Sequence, residues 1–307
     1  MPSASDTTVI VCSRNRADML ADALAAISTT SPPEIEVLVV DSASDTDDTR
    51  QVALERNAHY ARSGKGLSIA RNVGITTAAR PIVVFTDDDC LPSPGWIEHL
   101  LSGFDSESVA AVTGRMLDHT VSADTPYARP RRYDAPLSGL DAGHGAVMAF
   151  RREVLLRLGG FDDVMGAGQR LAGAEDLDIF IRILRAGATI VHDGACVVTH
   201  ANTRVGEAYV HLHHGYGLGL GALVGKWLRL DFLFGVRVFW TLLRRSLARI
   251  ARAKRGGRAS PQDRALITGV FEGIREARAI PLLGERFVPA WSPDGLPTLR
   301  ADGVSDE

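Results

Sequence analysis

An α/β fold with a doubly wound, mostly parallel sheet and a helical carboxyl-terminal extension is what the sequence predicts, and three observations carry it. Apolar, β-branched runs at residues 8–12 (TVIVC), 36–40 (EVLVV) and 82–85 (IVVF) have the composition of buried strands. Helical patterns at residues 17–27 and 49–56 separate the first strands, so strand and helix alternate as in βαβ units. Beyond residue 225 that alternation gives way to a basic, aromatic-rich segment.

The 307 residues, 45% of them apolar, suffice for one large α/β domain or two small ones. The break in pattern assigns residues 1–225 to the sheet domain and 226–307 to a helical extension with an irregular tail. A formal charge of -3 and a pI near 6.3 exclude a general affinity for nucleic acid, which needs a basic domain. Any phosphate site is therefore local. Cys12, Cys90 and Cys196 are odd in number and show no CxxC spacing, which fits a reducing compartment better than a disulfide framework or a zinc site. No apolar leader is read after Met1, and no uninterrupted apolar run reaches about 18 residues, so a cytoplasmic location is expected.

The first strand runs into Ser13, Arg14, Asn15 and Arg16 ahead of a helix, and a strand that ends in polar and basic residues at a helix start is an anion-binding corner. Pro32 and Pro33 close that helix. The second strand ends at Asp41, followed by the small capping residues Ser42, Ala43, Ser44 and Asp45. Gly64 and Gly66 then open a helix carrying Arg71, within reach of the next strand's end; their spacing matches neither the dinucleotide fingerprint nor a Walker loop. Pro81 marks the start of the central strand, which ends in Asp87, Asp88 and Asp89. Three converging carboxylates cost energy unless a cation sits among them, and Mg²⁺ or Mn²⁺ with oxygen ligands is the usual remedy. A solvated acidic turn that caps the next helix is the alternative. A helix at 96–104 and a strand at 110–114 follow.

Residues 117–141 lose the pattern. Pro126, Pro130 and Pro136 stand among Arg129, Arg131, Arg132, Tyr127 and Tyr133, the make-up of an irregular loop that is either functional or merely solvated. A strand pattern resumes at 143–151, with a short helix at 152–158. Gly173 and Ala174 then lead to Glu175, Asp176 and Asp178 at the head of an amphipathic helix that stops at Gly187; the helix dipole accounts for one or two acids in a first turn, not for three. Short strands are expected at 189–191 and 195–199, the second ending at His200, which is a metal ligand, a base or a structural imidazole.

With these segments in order, the chain resembles the family 2 glycosyltransferases of GT-A fold over residues 7–200 and on to about 226. The matching segments are TVIVCSRNR, EVLVVDSASDTDDT, GLSIARNVGI, IVVFTDDDC, GGFDD and GAEDLDIFIRILRAG. The resemblance implies an inverting transfer of a sugar from a nucleoside diphosphate sugar, UDP or dTDP, to an acceptor hydroxyl. It implies that Asp41 accepts from the imide N–H of the base, that Cys12, Ser13 and Arg14 line the nucleotide corner, and that Arg71 is the basic residue near the nucleotide. Asp87 and Asp89, with Asp88 between them, match the DxD signature. By that match Asp89 holds Mn²⁺ or Mg²⁺ on the diphosphate, Asp87 contacts the ribose or the metal's water shell, and His200 supplies a further ligand. Asp176 looks like the general base for the acceptor hydroxyl, with Glu175 orienting it or the acceptor. The chain departs from the family pattern at residues 13–16, where Thr-Tyr-Asn is more frequent, and at Ser42, where a second Asp is common; both departures bear on the donor nucleotide.

Two other readings compete. A haloacid-dehalogenase-like phosphatase also ends its catalytic strand in Asp-x-Asp, but near the chain's beginning and with Thr or Val close behind, where this chain has Cys90, Leu91 and Pro92. A nucleotide-sugar-binding protein without catalysis has no need of Asp176 beside Glu175. Further along, His211, His213 and His214 among Gly215, Gly217, Gly219 and Gly221 predict a tightly packed helix or turn over the active site rather than a metal tract. Trp227, Phe232, Phe234, Phe239 and Trp240 then mingle with Arg229, Arg237, Arg244, Arg245, Arg249, Arg252, Lys254 and Arg255, the composition of a helix in an anionic membrane interface, or of one that packs on the catalytic domain or forms a homodimer interface. The membrane reading puts the chain on the inner face of the cell membrane, beside a lipid-linked or envelope-glycan acceptor.

Overall fold

The computed structural model describes residues 1–118, 129–201, 206–255 and 261–288, which fall into two compact units. The first takes the described residues of 1–161 and 179–201; the second takes 162–178 and 206–288.

In the first unit the apolar runs are strands. β1 (Thr7–Ser13) leads to α1 (Ala17–Thr30), β2 (Glu36–Ser42), α2 (Asp48–Glu55), β3 (His59–Ser63) and α3 (Leu67–Thr77). Then come β4 (Ile82–Asp87), β5 (Cys90–Pro92), α4 (Trp96–Ser102), β6 (Val109–Leu117), β7 (Arg131–Tyr133), β8 (Val147–Arg151) and α5 (Arg152–Arg157). α6 (Glu175–Arg185) starts in the second unit and enters the first at Ile179, ahead of β9 (Thr189–His200). The main sheet runs β3-β2-β1-β4-β8-β6-β9-β5, with β7 also paired to β9. Strands β3, β2, β1 and β4 are mutually parallel and β6 is parallel to β9, while β8 is antiparallel to both of its neighbours.

This register positions the functional groups. Ser13 lies opposite Asp41, and Cys12 opposite both Val40 and Asp87, so three strands end in one polar row. Val9, Val11, Val39 and Val84 are fully buried beneath it, and Phe85, Phe150 and Phe161 pack edge to face at 5.5 to 6.2 Å. Gly74 lets α3 lie close on β1, because a Cβ there would stand 2.7 Å from Ile10 Cγ2.

Two expectations are corrected, and two strands stand where none was expected. Residues 189–199 form one continuous strand, not two: the polar break His192-Asp193-Gly194 is absorbed inside β9, next to a register irregularity against β6. The stretch 117–141 is not irregular throughout, since it contains β7 and a 3₁₀ segment at Pro136–Asp141; Pro126 and Tyr127 lie outside the described residues. β3 and β5 have no apolar run to announce them. β3 is the polar edge of the sheet, where no second neighbour demands one.

The second unit is helical. α7 (Glu207–Leu230) runs unbroken across position 225/226, followed by α8 (Phe232–Arg255), α9 (Pro261–Ala277) and a small hairpin, β10 (Leu282–Leu283) with β11 (Arg286–Phe287). α7 and α9 meet through glycine: a Cβ on Gly221 would fall 2.9 Å from Ile274 N, and one on Gly225 2.6 Å from Ala277 Cβ. His214 pairs with Glu272 at 3.0 Å and His213 Nδ1 lies 2.9 Å from Tyr209 O, so this tract is helix packing, as expected of a glycine-rich segment. Phe234 and Val238 of α8 are buried, whereas Phe232, Leu233, Trp240 and Leu247 are exposed. No described helix is long and apolar enough to cross a membrane.

Candidate active site

At the carboxyl end of β4 the three aspartates have different surroundings. Asp88 is buried, accepts from Ser13 Oγ at 2.7 Å and from Arg16 Nη1 at 3.0 Å. Burial holds its pKa above the ordinary carboxylate range despite those two partners. Asp89 accepts from the same Arg16 Nη1 at 3.1 Å and lies 3.3 Å from His200 Nε2. Burial pushes its pKa up, but the His200 hydrogen bond, the histidine's charge and Arg16 outweigh that and leave it lowered. His200 is correspondingly raised, chiefly by the hydrogen bond to Asp89. The β5–β9 pairing sets Cys90 opposite His200, which is how a strand 110 residues on delivers its last side chain to the acidic turn.

Arg71 sits behind Asp87. It is 2% exposed, its Nη2 is 3.5 Å from Asp87 Oδ1 and donates to Gly145 O at 3.2 Å, and its guanidinium lies 5.3 Å from the Phe161 ring and 5.9 Å from that of Phe85. A Cβ on Gly145 would stand 2.9 Å from Arg71 Nη2, so any side chain there would displace the guanidinium. A buried guanidinium flanked by aromatic faces is a fixed positive charge that stacking and hydrogen bonds hold in place.

One ligand atom from each of Asp87, Asp89 and Cys90 lies within 4.8 Å of the others, a grouping that a metal ion fits. Burial drives the Cys90 thiol well up, and hard divalent cations prefer oxygen to sulfur, so the carboxylates are the fitting donors of the set, with the His200 imidazole beside Asp89. Oxygen-rich ligands with one imidazole suit Mn²⁺ or Mg²⁺.

The remaining expected residues are placed as follows. Asp41 is 1% exposed and already holds Ser44 N–H at 2.7 Å on Oδ1, and Tyr60 OH and Arg62 Nη1, both at 2.9 Å, on Oδ2. Cys12 is half-buried, its thiol pushed up to about 12 by burial. Arg14 turns away from the acids, donating to Ala43 O at 3.2 Å and pairing with Asp45 at 3.4 Å. Asn15, at φ 56°, ties the same two loops together, its Nδ2 donating to Asp45 and its Oδ1 accepting from Asp45 N–H at 2.8 Å. Glu175, buried, and Asp176, half-buried, head α6 in the second unit, where Asp176 Oδ1 accepts from Leu177 N–H at 2.8 Å. Sequence reasoning missed Tyr60 and Arg62, and it placed Arg16 in the anion-binding corner without singling it out. Arg16 stood in the quoted SRNR run, but nothing local decides which arginine of a turn points at the acids.

Three comparisons bear on this geometry. Residues 8–159 match the family model described as glycosyl transferase family 2. The pre-mycofactocin glycosyltransferase of Mycobacterium tuberculosis is 30% identical over 218 residues, covering 65% of this chain and 43% of that protein. The glucosyl-dolichyl phosphate glucuronosyltransferase of Haloferax volcanii is 24% identical over 155 residues, 46% of this chain and 50% of that one. The chain thus spans about half the length of these curated relatives. Among solved structures, the mannosyltransferase of Pyrobaculum calidifontis in complex with GDP-Man and Mn²⁺ aligns over 88% of this chain and 87% of its own, with TM-score 0.61 at 21% identity, a likeness of fold.

Proposed function

The chain belongs to glycosyl transferase family 2, and we propose that it moves a sugar from a nucleoside diphosphate sugar, UDP- or dTDP-linked, to an acceptor hydroxyl with inversion at the anomeric carbon. The observation that carries this reading is the cluster ending β4, where Asp87, Asp89 and His200 converge with Arg16 and the buried Arg71 against them. Asp87, Asp89 and His200 would hold Mn²⁺ or Mg²⁺, a reading that the Mn²⁺ of the Pyrobaculum complex supports. A divalent ion there supplies Lewis-acid neutralisation of the leaving nucleoside diphosphate.

The chain's own residues do the rest. Arg71 keeps a permanent positive charge beside Asp87, Cys12 and Ser13 line the nucleotide corner, and Asp41 reads the base by exchanging its Tyr60 or Arg62 hydrogen bond for the imide N–H. Asp176, from the Glu175-Asp176 pair, accepts the acceptor's hydroxyl proton while Glu175 orients it. As that proton leaves, the oxygen attacks the anomeric carbon from the face opposite the diphosphate, and the carbon–oxygen bond to the diphosphate breaks with its electron pair. One displacement inverts the configuration. The family match sets aside the phosphatase alternative. The acceptor is lipid-linked or an envelope glycan, and the chain acts as a peripheral protein on the cytoplasmic membrane surface; the exposed basic and aromatic face of α8 and the dolichyl phosphate substrate named for the Haloferax relative support this.

The test begins with thermal-shift screening of UDP, GDP, dTDP and their sugars with Mn²⁺, since a ligand that binds only the native state raises its stability. Asp89→Asn should then lose at least about 100-fold in Mn²⁺-dependent donor affinity, because outer-shell changes alone cost about 10- to 100-fold. Parent-like donor affinity and turnover in Asp89→Asn, with or without chelator, would overturn the metal reading.

A further inference from the structure

The second unit contains a buried ionic cluster that the proposed chemistry does not use. Lys226 of α7 is 0% exposed; its Nζ lies 3.2 Å from Asp162 Oδ2 and is ion-paired to Asp178 Oδ1, both carboxylates likewise 0% exposed. Phe287 N–H of the terminal hairpin donates to Asp162 Oδ2 at 2.9 Å, and Lys226 Nζ lies 5.4 Å from the Phe287 ring. A cluster of two carboxylates and one ammonium, taken wholly out of water, costs several kcal/mol of desolvation per ion, and apolar residues of similar volume commonly fold as well or better. Stability alone is therefore a weak reason for it.

Its location suggests another. Asp178 belongs to the first turn of α6, with its N–H on Ala174 O at 3.0 Å, two residues after Asp176. At 3.6 residues per turn, residues two apart point to nearly opposite sides of a helix. Asp178 is accordingly buried while Asp176 is half-buried. The chain enters this turn through Gly173 at φ 157° and Ala174 at φ 60°, and Gly173 is backed by α7, where any side chain on Gly219 would strike its carbonyl. The start of α6 is thus held at Gly173 by packing and at Asp178 by charge, both from α7. The first contact limits translation, and the second adds to the buried Ile179, Phe180 and Ile183 in holding α6 against rotation about its axis.

We propose that Lys226, acting through Asp178, is a positioning residue that fixes the direction in which Asp176 points; this rests on reading Asp176 as the general base. A misplacement of about 1 Å at a reacting group can cost about 10²-fold. The link also makes catalysis depend on α7, which lies beyond the residues matched by the family model.

The experiment uses the full chain with Mn²⁺ and whichever UDP-, GDP- or dTDP-sugar stabilises the parent most, reading nucleoside diphosphate released to water as the simplest hydroxyl acceptor. Asp178→Asn keeps the shape and Lys226's bond to Asp162. It should lower kcat at least 10-fold with donor KM within twofold of the parent. Asp176→Asn/Asp178→Asn should be no slower than Asp176→Asn alone, because a misdirected base and a missing base cost the same step once. Further slowing in the double variant, or a lowered melting temperature with parent-like kcat in Asp178→Asn, overturns the positioning role. Should Asp178→Asn not fold, Lys226→Arg keeps the charge but displaces it, and is expected to lose kcat at unchanged donor KM; parent-like kcat there overturns the role as well. Parent-like kcat in Asp176→Asn removes the base reading and this inference with it, whereas loss there combined with parent-like kcat in Asp178→Asn removes this inference alone.

Discussion

The membrane reading of α8 can be worked out from its exposed face. Leu233, Arg237, Trp240, Arg244 and Leu247 recur at intervals of four and three residues and form one stripe, with Phe232 beside it. Phe232, Leu233, Trp240 and Leu247 are 66%, 72%, 56% and 54% exposed, and residues 232–255 contain no acid. Full burial of a large apolar side chain is worth about 1.5–3 kcal/mol, so the exposed fractions leave about 1–2 kcal/mol each, or about 4–7 kcal/mol together. Arg237, Arg244 and Arg245 each add about 1 kcal/mol near an anionic surface, while Arg249 is already paired with the buried Asp263 at 2.6 Å. Leu233→Ser/Trp240→Ser should therefore cost about 2–4 kcal/mol, which is roughly a 30- to several-hundred-fold loss of vesicle partitioning at about 1.4 kcal/mol per factor of ten. Neutral vesicles, or high salt that shortens the Debye length from about 8 to about 3 Å, should remove the arginine contribution. Co-sedimentation with phosphatidylglycerol-containing and pure phosphatidylcholine vesicles measures both. Equal and negligible binding to the two, from a protein that sediments as a dimer, would refute the reasoning and assign the stripe to a homodimer interface.

Two further outcomes follow from packing and burial. Gly225→Ala sets a methyl 2.6 Å from Ala277 Cβ, so α7 and α9 must separate by about 1 Å; overpacking of about 1–3 kcal/mol should lower the melting temperature by about 3–10 °C, and an unchanged melt would refute the close approach. Burial holds His144 and His192 below the ordinary histidine range, so both stay neutral in the folded chain at pH values where the unfolded chain takes up protons. Their contribution is present above the unfolded value near 6.5 and is lost as pH falls below it; a His144→Asn/His192→Asn variant should therefore lose less melting temperature between pH 7.5 and 5.5, and an unaltered slope would count against it.

What the sequence determined by itself was whatever short-range pattern encodes. Strands β1, β2 and β4 were legible because buried parallel strands need continuous apolar runs, and Asp41, Asp87 and Asp89 stood out because the runs of β2 and β4 end abruptly in acid. The acids heading α6 were equally local, three charges being more than a helix terminus calls for. Tertiary structure alone decided which partners those charges have. Arg16 rather than Arg14 reaches Asp88 and Asp89, because Asn15 at positive φ and the clasp with Asp45 turn Arg14 outward. Asp41 is shared by Tyr60 and Arg62 of β3, an edge strand with no apolar run to betray it. β9 is one strand because its pairing with β6 and β5 spans a polar break that periodicity reads as an end. Lys226 reads as one more base in a basic segment, and only the packing of α7 buries it against Asp162 and Asp178. The division has a physical cause: periodicity encodes which face of an element is apolar, whereas the direction of a side chain at a strand end or within a helix contact depends on residues tens of positions away.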